Sequence, residues 1–131
     1  MGKLLAIDYG STADELVKKG ITGGTLRAYY RHQAISDVLV RPGEQDITSH
    51  VNFSMLCKEG EIARLKTEGL TTQENFLTRI AAPTFEQQKG QEYWTAERVK
   101  QFKTLTNPEH LGNRFKVLVQ SRPPMATNTP V

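Results

Sequence analysis

Three observations predict an α/β fold, with helices packed on a mixed sheet. Near the start, Leu4-Leu5-Ala6-Ile7-Asp8 is a short apolar run of the kind that forms a strand buried on both faces. Near the end, Arg114 to Gln120 alternates apolar and polar residues, as a half-buried strand does. Between them lie apolar residues at helical spacing, each group preceded by a capping side chain. With 131 residues the chain is one domain or part of a larger one.

The first strand, Leu4 to Asp8, is expected to be parallel and central, with neighbours drawn from later in the chain or from elsewhere. Tyr9-Gly10 ends it. Open α/β sheets place their ligand crevice at the carboxyl ends of strands, which is where Asp8 and Tyr9 stand. Asp8 either faces that cleft or caps the following turn. Ser11 is expected to cap a helix from Thr12 to Lys19, which Gly20 stops. Thr25 to His32 is rich in β-formers and reads as a strand. Its Arg27, Tyr30, Arg31 and His32 fit a structural tyrosine face better than a base-stacking surface.

Arg41 to Phe53 holds more chemically useful groups than any other stretch. Pro42-Gly43 marks a turn, followed by Glu44, Asp46, Thr48, His50 and Asn52. Polar side chains gathered in a loop between ordered elements are typical of a binding site. Asn52 is placed to cap a helix carrying Phe53, Leu56 and Cys57 on one side, which Gly60 ends. Ile62 to Glu68 reads as a strand closed by Gly69. Thr71 and Glu74 form a capping box for a helix with Phe76, Leu77 and Ile80, which Pro83 terminates. Residues 84–94 are polar, with some helix expected. Thr95 caps a helix through about Phe102, with Val99 and Phe102 apolar. The domain thus spans residues 1–122, and residues 123–131 are expected to form a disordered tail.

Composition excludes several functions. Lys and Arg number 17 against 14 Asp and Glu, a net +3, and the charges are interspersed. That is a solvated surface and argues against a nucleic-acid partner. The single cysteine, Cys57, excludes an internal disulfide and fits a small buried hydrophobe. His32, His50 and His110 show no metal-site spacing, so no metal is expected. Neither a nucleophile elbow nor a glycine-rich phosphate loop is present. No apolar run reaches the roughly 20 residues of a membrane span, and no signal peptide or membrane partner is expected.

Five blocks occur in order: Leu5-Ala-Ile-Asp-Tyr-Gly10, Gly24-Thr-Leu-Arg-Ala-Tyr-Tyr-Arg-His32, Pro42-Gly-Glu-Gln-Asp-Ile-Thr-Ser-His-Val-Asn-Phe53, Thr72-Gln-Glu-Asn-Phe-Leu77 and Leu111-Gly-Asn-Arg-Phe-Lys-Val-Leu118. The series resembles the C-terminal half of the MidA family over residues 4 to about 122. These are class I S-adenosylmethionine-dependent methyltransferases, and they include a mitochondrial arginine methyltransferase that assists assembly of respiratory complex I. Asn52 stands where the family has Asp, and Leu111 where it has Met. Asn and Asp both cap helices, so the first change is mild.

The resemblance implies the C-terminal portion of a Rossmann-like methyltransferase sheet, with its last strand antiparallel. It implies S-adenosylmethionine as cofactor, gripped by a glycine-rich N-terminal half that is not in this sequence, so the chain alone is expected not to bind it. An arginine acceptor needs carboxylates to fix its planar guanidinium. Asp8, Glu44 and Asp46 are candidates for that clamp, with His50 taking a proton or orienting a carboxylate, Tyr9 walling the pocket and Thr48 beside it. Asp46 and His50 are equally open to a purely local role, bonding the loop's own backbone. The partners implied are a protein substrate and the missing half. The location implied is a bacterial cytoplasm or a mitochondrial matrix. The alternative is a non-catalytic interaction module that pairs with itself or with a separate chain.

Overall fold

The computed structural model describes residues 2–87 and 93–122. Its elements run β1 (Gly2–Ser11), α1 (Ala13–Lys18), β2 (Arg27–Tyr30), β3 (Gln33–Ile35), β4 (Asp46–Thr48), β5 (Val51–Asn52), α2 (Phe53–Ile62), β6 (Lys66–Thr72), α3 (Gln73–Gln87), α4 (Ala96–Thr106) and β7 (Phe115–Arg122). The larger sheet has the order β5-β1-β7-β6 and the smaller has β3-β2-β4. The expected mixed α/β fold with flanking helices is present.

β7 organises the larger sheet. It is antiparallel to β1 from Gly2↔Arg122 to Tyr9↔Phe115, and antiparallel to β6 on its other edge. β1 is parallel to β5 at Gly10↔Val51 and Ser11↔Asn52. Directly opposed residues share a face. Leu5 and Val119, Ile7 and Val117, and Tyr9 and Phe115 therefore line one side, and the last pair brings its rings to 4.0 Å. Leu4 and Gln120, with Ala6 and Leu118, line the other. There Gln120 donates to the Cys57 carbonyl at 3.1 Å, which ties α2 to the sheet, and to Thr67 Oγ1 at 3.0 Å. Phe53, Val117 and Leu118 are fully buried. Each stabilises the fold by about 1.5–3 kcal/mol.

Several local expectations are corrected. β1 lies inside the sheet with one parallel neighbour, as expected, but it is not buried on both faces and its long partner is antiparallel. β7 covers one edge, β5 reaches only its last two residues, and Leu4, Leu5 and Ile7 stay about half exposed. An apolar run records the surroundings a strand suits, not which neighbours it meets. The cap of α1 is Thr12, in a capping box with Glu15, while Ser11 is buried at the end of β1. The strand expected over Thr25–His32 is a hairpin. Arg31 and His32 turn it with φ of 49° and 65°, and β3 follows.

Gly60 does not end α2. It lies within the helix, where a methyl group would fall on the Gln120 carboxamide, and the left-handed residue past the end is Arg64 at φ 65°. Gly69 likewise lies inside β6, at an irregularity in its pairing with β7. α3 is capped by Thr72, whose hydroxyl accepts from Asn75 N–H at 3.3 Å, in place of Thr71.

Pro83 lies within α3. It removes a helical hydrogen bond and opposes helix by about 3 kcal/mol. The helix continues because Phe85 stacks on Trp94 at 4.1 Å and meets Phe102 edge-on at 5.7 Å. The caps at Asn52 and Thr95 and the strand from 115 appear as expected. The tail expected over 123–131 lies outside the described residues.

Candidate functional site

A cleft of about 610 Å³ opens at the carboxyl end of β1, between the larger sheet and the smaller one. Its floor is Tyr9 to Ser11, and Arg114 and Lys116 at the start of β7 form one wall. Arg27, Tyr29 and Thr48 form the other wall. These three share a face of the small sheet, because Arg27 pairs with Thr48 and Tyr29 lies two residues on. His50 completes the rim, its backbone N–H donating to Thr25 Oγ1 at 3.0 Å.

Gly10 lets the two sheets join there. A methyl group on it would meet the Val51 carbonyl and the ring of fully buried Phe53. Asn52 then caps α2, accepting from Met55 N–H at 3.2 Å. The strand end, the loop and the helix start are thus held at one point.

The candidate residues divide. Tyr9, Thr48 and His50 line the cleft. Asp46 is outside the lining, but it opposes Tyr29 and so shares the cleft-facing side of the small sheet, exposed at its rim. Asp8 is outside the lining and accepts from the Tyr9 N–H at 2.7 Å, a bond within β1 and not the cap of a following turn. Glu44 lies on the preceding turn, 3.7 Å from Arg41, whose guanidinium covers the Tyr30 ring at 4.2 Å. The three carboxylates are not gathered into one clamp.

The cleft is instead cationic, which the sequence did not suggest. Lys19, Arg27, Arg114 and Lys116 line it with one acid, Glu15. They come from three separate segments, with Arg114 and Lys116 sharing the start of β7, so no spacing along the chain could reveal them as a group. Lys116 donates to Glu15 Oε1 at 2.8 Å, and the Thr12 N–H donates to Glu15 Oε2 at 2.8 Å. Burial pushes the Glu15 carboxyl up. The Lys116 and Thr12 hydrogen bonds, with the charges of Lys116 and Lys19, outweigh it and leave Glu15 more acidic than usual. Lys19 turns to Ser11 Oγ at 3.4 Å. Cys57 is half-buried on α2, where burial and the Glu61 charge push its thiol up, which fits packing better than reactivity.

Among the described residues, no group of His, Cys, Asp and Glu could hold a metal ion. Among them, too, no helix is long and apolar enough to cross a membrane.

Comparison with known proteins places this geometry. Residues 1–71 match a family described as "Putative S-adenosyl-L-methionine-dependent methyltransferase". The chain is 31% identical over 117 residues to the mitochondrial protein arginine methyltransferase NDUFAF7 of Rattus norvegicus, and 32% identical over 119 residues to that of Danio rerio. Those matches cover 87% and 88% of this chain but 25% and 26% of the relatives, so the chain spans about a quarter of their length. It is also similar to the native crystal structure of an uncharacterized superfamily protein from Burkholderia thailandensis. That match has a TM-score of 0.72 at 32% identity and covers 92% of this chain and 33% of that one. A second crystal structure from the same organism, bound to S-adenosyl-homocysteine, gives 0.70 at 32% identity over 92% and 32%. The resemblance carried by the five sequence blocks is borne out.

Proposed function

The chain belongs to this S-adenosyl-L-methionine-dependent methyltransferase family, and we propose that it forms the acceptor-side wall of a protein arginine methyltransferase. The grip on the cofactor would come from residues outside the chain. One observation carries the reading: β1 delivers Tyr9–Ser11 to the cleft, while among the described residues no strand pairs with its edge from Gly2 to Tyr9 on the side away from β7. An apolar strand with a bare edge is a template for further pairing. Strands added there would end beside the cleft, where α/β sheets bind ligands.

The described residues alone do not fit an adenosyl ligand. In dinucleotide folds an acid bonds the ribose hydroxyls, yet Glu15, the acid in the cleft lining, is held by Lys116 and the Thr12 N–H. No glycine-rich loop is present to cradle the rest. This chain's part is to orient the acceptor, the main requirement when a nitrogen must line up with a methyl group. Tyr9 and Tyr29 would wall the approach and Thr48 would offer a hydroxyl. Asp46, at the rim, would hold the guanidinium, and His50 would accept the proton released there. A soluble compartment, bacterial cytoplasm or mitochondrial matrix, accords with this role.

Calorimetry with S-adenosyl-homocysteine tests the reading. The chain alone should give no heat. Mixed with the glycine-rich half of a family member as a second polypeptide, it should bind the ligand and support methyl transfer to a protein. Tight binding by the chain alone would overturn the divided cleft. A reconstituted pair that binds the ligand and methylates nothing would favour the interaction module, which the bare β1 edge also suits.

A further inference from the structure

We infer that the cleft binds an acidic segment of a polypeptide, so that the protein acceptor carries Asp or Glu close in sequence to its reactive residue. This rests on the reading that the cleft faces the acceptor.

The argument begins with unbalanced charge. Glu15 pairs with Lys116 at 2.8 Å and carries a single negative charge, so it offsets one of the four cations in the lining. Lys19, Arg27 and Arg114 remain on the same concave surface, and among the described residues none of them has a carboxylate at ion-pair distance. Arg27 donates to its neighbour's carbonyl, Leu26 O at 2.7 Å. Like charges gathered in a cleft with low-dielectric walls reinforce one another's field and favour an anion. They also oppose a bare guanidinium, so an arginine entering here needs anionic company. Carboxylates beside it in sequence would meet the guanidinium forks of Arg27 and Arg114 in the paired geometry that arginine favours.

The backbone favours a polypeptide over a small anion. β4 is an edge strand, and its residue Thr48 lines the cleft. Its free side offers main-chain donors and acceptors that an extended peptide can pair with, as in strand addition. A peptide lying there would run from the cationic cleft past Asp46, the exposed acid on the same face of the small sheet. Acidic flank and basic acceptor would then each meet its complement. The cleft's volume, about 610 Å³, admits a few side chains.

Fluorescence anisotropy with the whole chain tests this without any methyl transfer. The probe is a labelled octapeptide with arginine between two aspartates, and the control replaces the aspartates with asparagines. The acidic peptide should bind about tenfold more tightly, with affinity falling as salt rises. Arg27→Gln with Arg114→Gln should remove that preference, Arg27→Lys should keep most of it, and Lys3→Gln, where Lys3 pairs with Glu68 across the sheet, should leave it unchanged. Circular dichroism of each variant reports folding. Equal affinity for the two peptides, or a preference untouched by the double variant, would overturn the proposal. So would displacement of the acidic peptide by inorganic phosphate or S-adenosyl-homocysteine at matched concentration, which would assign the cations to a small anion or to the cofactor. Failure of the reconstituted methyl transfer would leave the peptide result standing, so the two readings fail separately.

Discussion

β7 and β1 lie side by side along eight register pairs, and both are rich in Val, Leu and Ile, yet they live in different surroundings. β7 has a strand on each edge, and Val117, Leu118 and Gln120 are at most 1% exposed. β1 has β7 on one edge and only two residues of β5 on the other, so Leu4 is 42% and Leu5 52% exposed. Similar composition therefore serves two purposes. β7 closes the fold, while β1 presents an apolar edge and carries Tyr9 to the cleft. Burial is concentrated in one strand of the pair, and the open edge belongs to the other.

The contrast breaks first at the core. Leu118→Ala should cost about 2–5 kcal/mol in urea denaturation, because the side chain is fully buried and its site has little room to collapse. A loss under about 1 kcal/mol would mean that β7 is less central than its burial indicates.

Where the two regions meet, Gly10→Ala should cost about 1–3 kcal/mol and open the cleft, since the new methyl group meets a backbone carbonyl and the Phe53 ring. Loss of hydrogen-exchange protection at Val51 and Asn52 would localise the damage; a uniform change would argue against it.

Glu15→Gln sharpens the cleft side. Burial works against the Glu15 carboxylate, but its bonds to Lys116 and Thr12 win and its folded pKa lies below the ordinary carboxylate value. Its stabilisation is therefore complete above that ordinary range and is lost as pH falls through the lowered folded value. Because the Glu15 side chain is 38% exposed, solvent screening limits the loss at neutral pH to about 1 kcal/mol. The variant should lose this part of the acid dependence in melting scans; an unchanged pH profile would remove the pair from the account.

The smallest effect belongs to β1. Leu5→Thr should shift stability by no more than about 0.5 kcal/mol, because half of the side chain already meets water. It should instead weaken capture of the glycine-rich half, measured by titration. A large loss of stability with unchanged capture would invert the roles of the two strands.

Much of the fold could be read in advance where the signal is local. Asn52 and Thr95 cap their helices with their own side chains, and β7 alternates in step with its pleat. The misread boundaries involve residues whose usual meaning was overruled from a distance: Pro83 by the Phe85–Trp94–Phe102 cluster, and Gly60 by the approach of Gln120. In the cleft, Tyr9 and His50 were visible as a strand end and a polar loop. Lys19, Arg27, Arg114 and Lys116 looked like scattered surface charge.

By itself, the sequence determined the family, the mixed α/β class and the caps at Asn52 and Thr95. These rest on residue order and on bonds spanning three or four residues. Only the tertiary structure decided that β1 lies open beside β7, and that four cations from distant segments face one cleft with a single acid between them. Burial and electric field depend on distances in space, and the chain sets those only once it has packed.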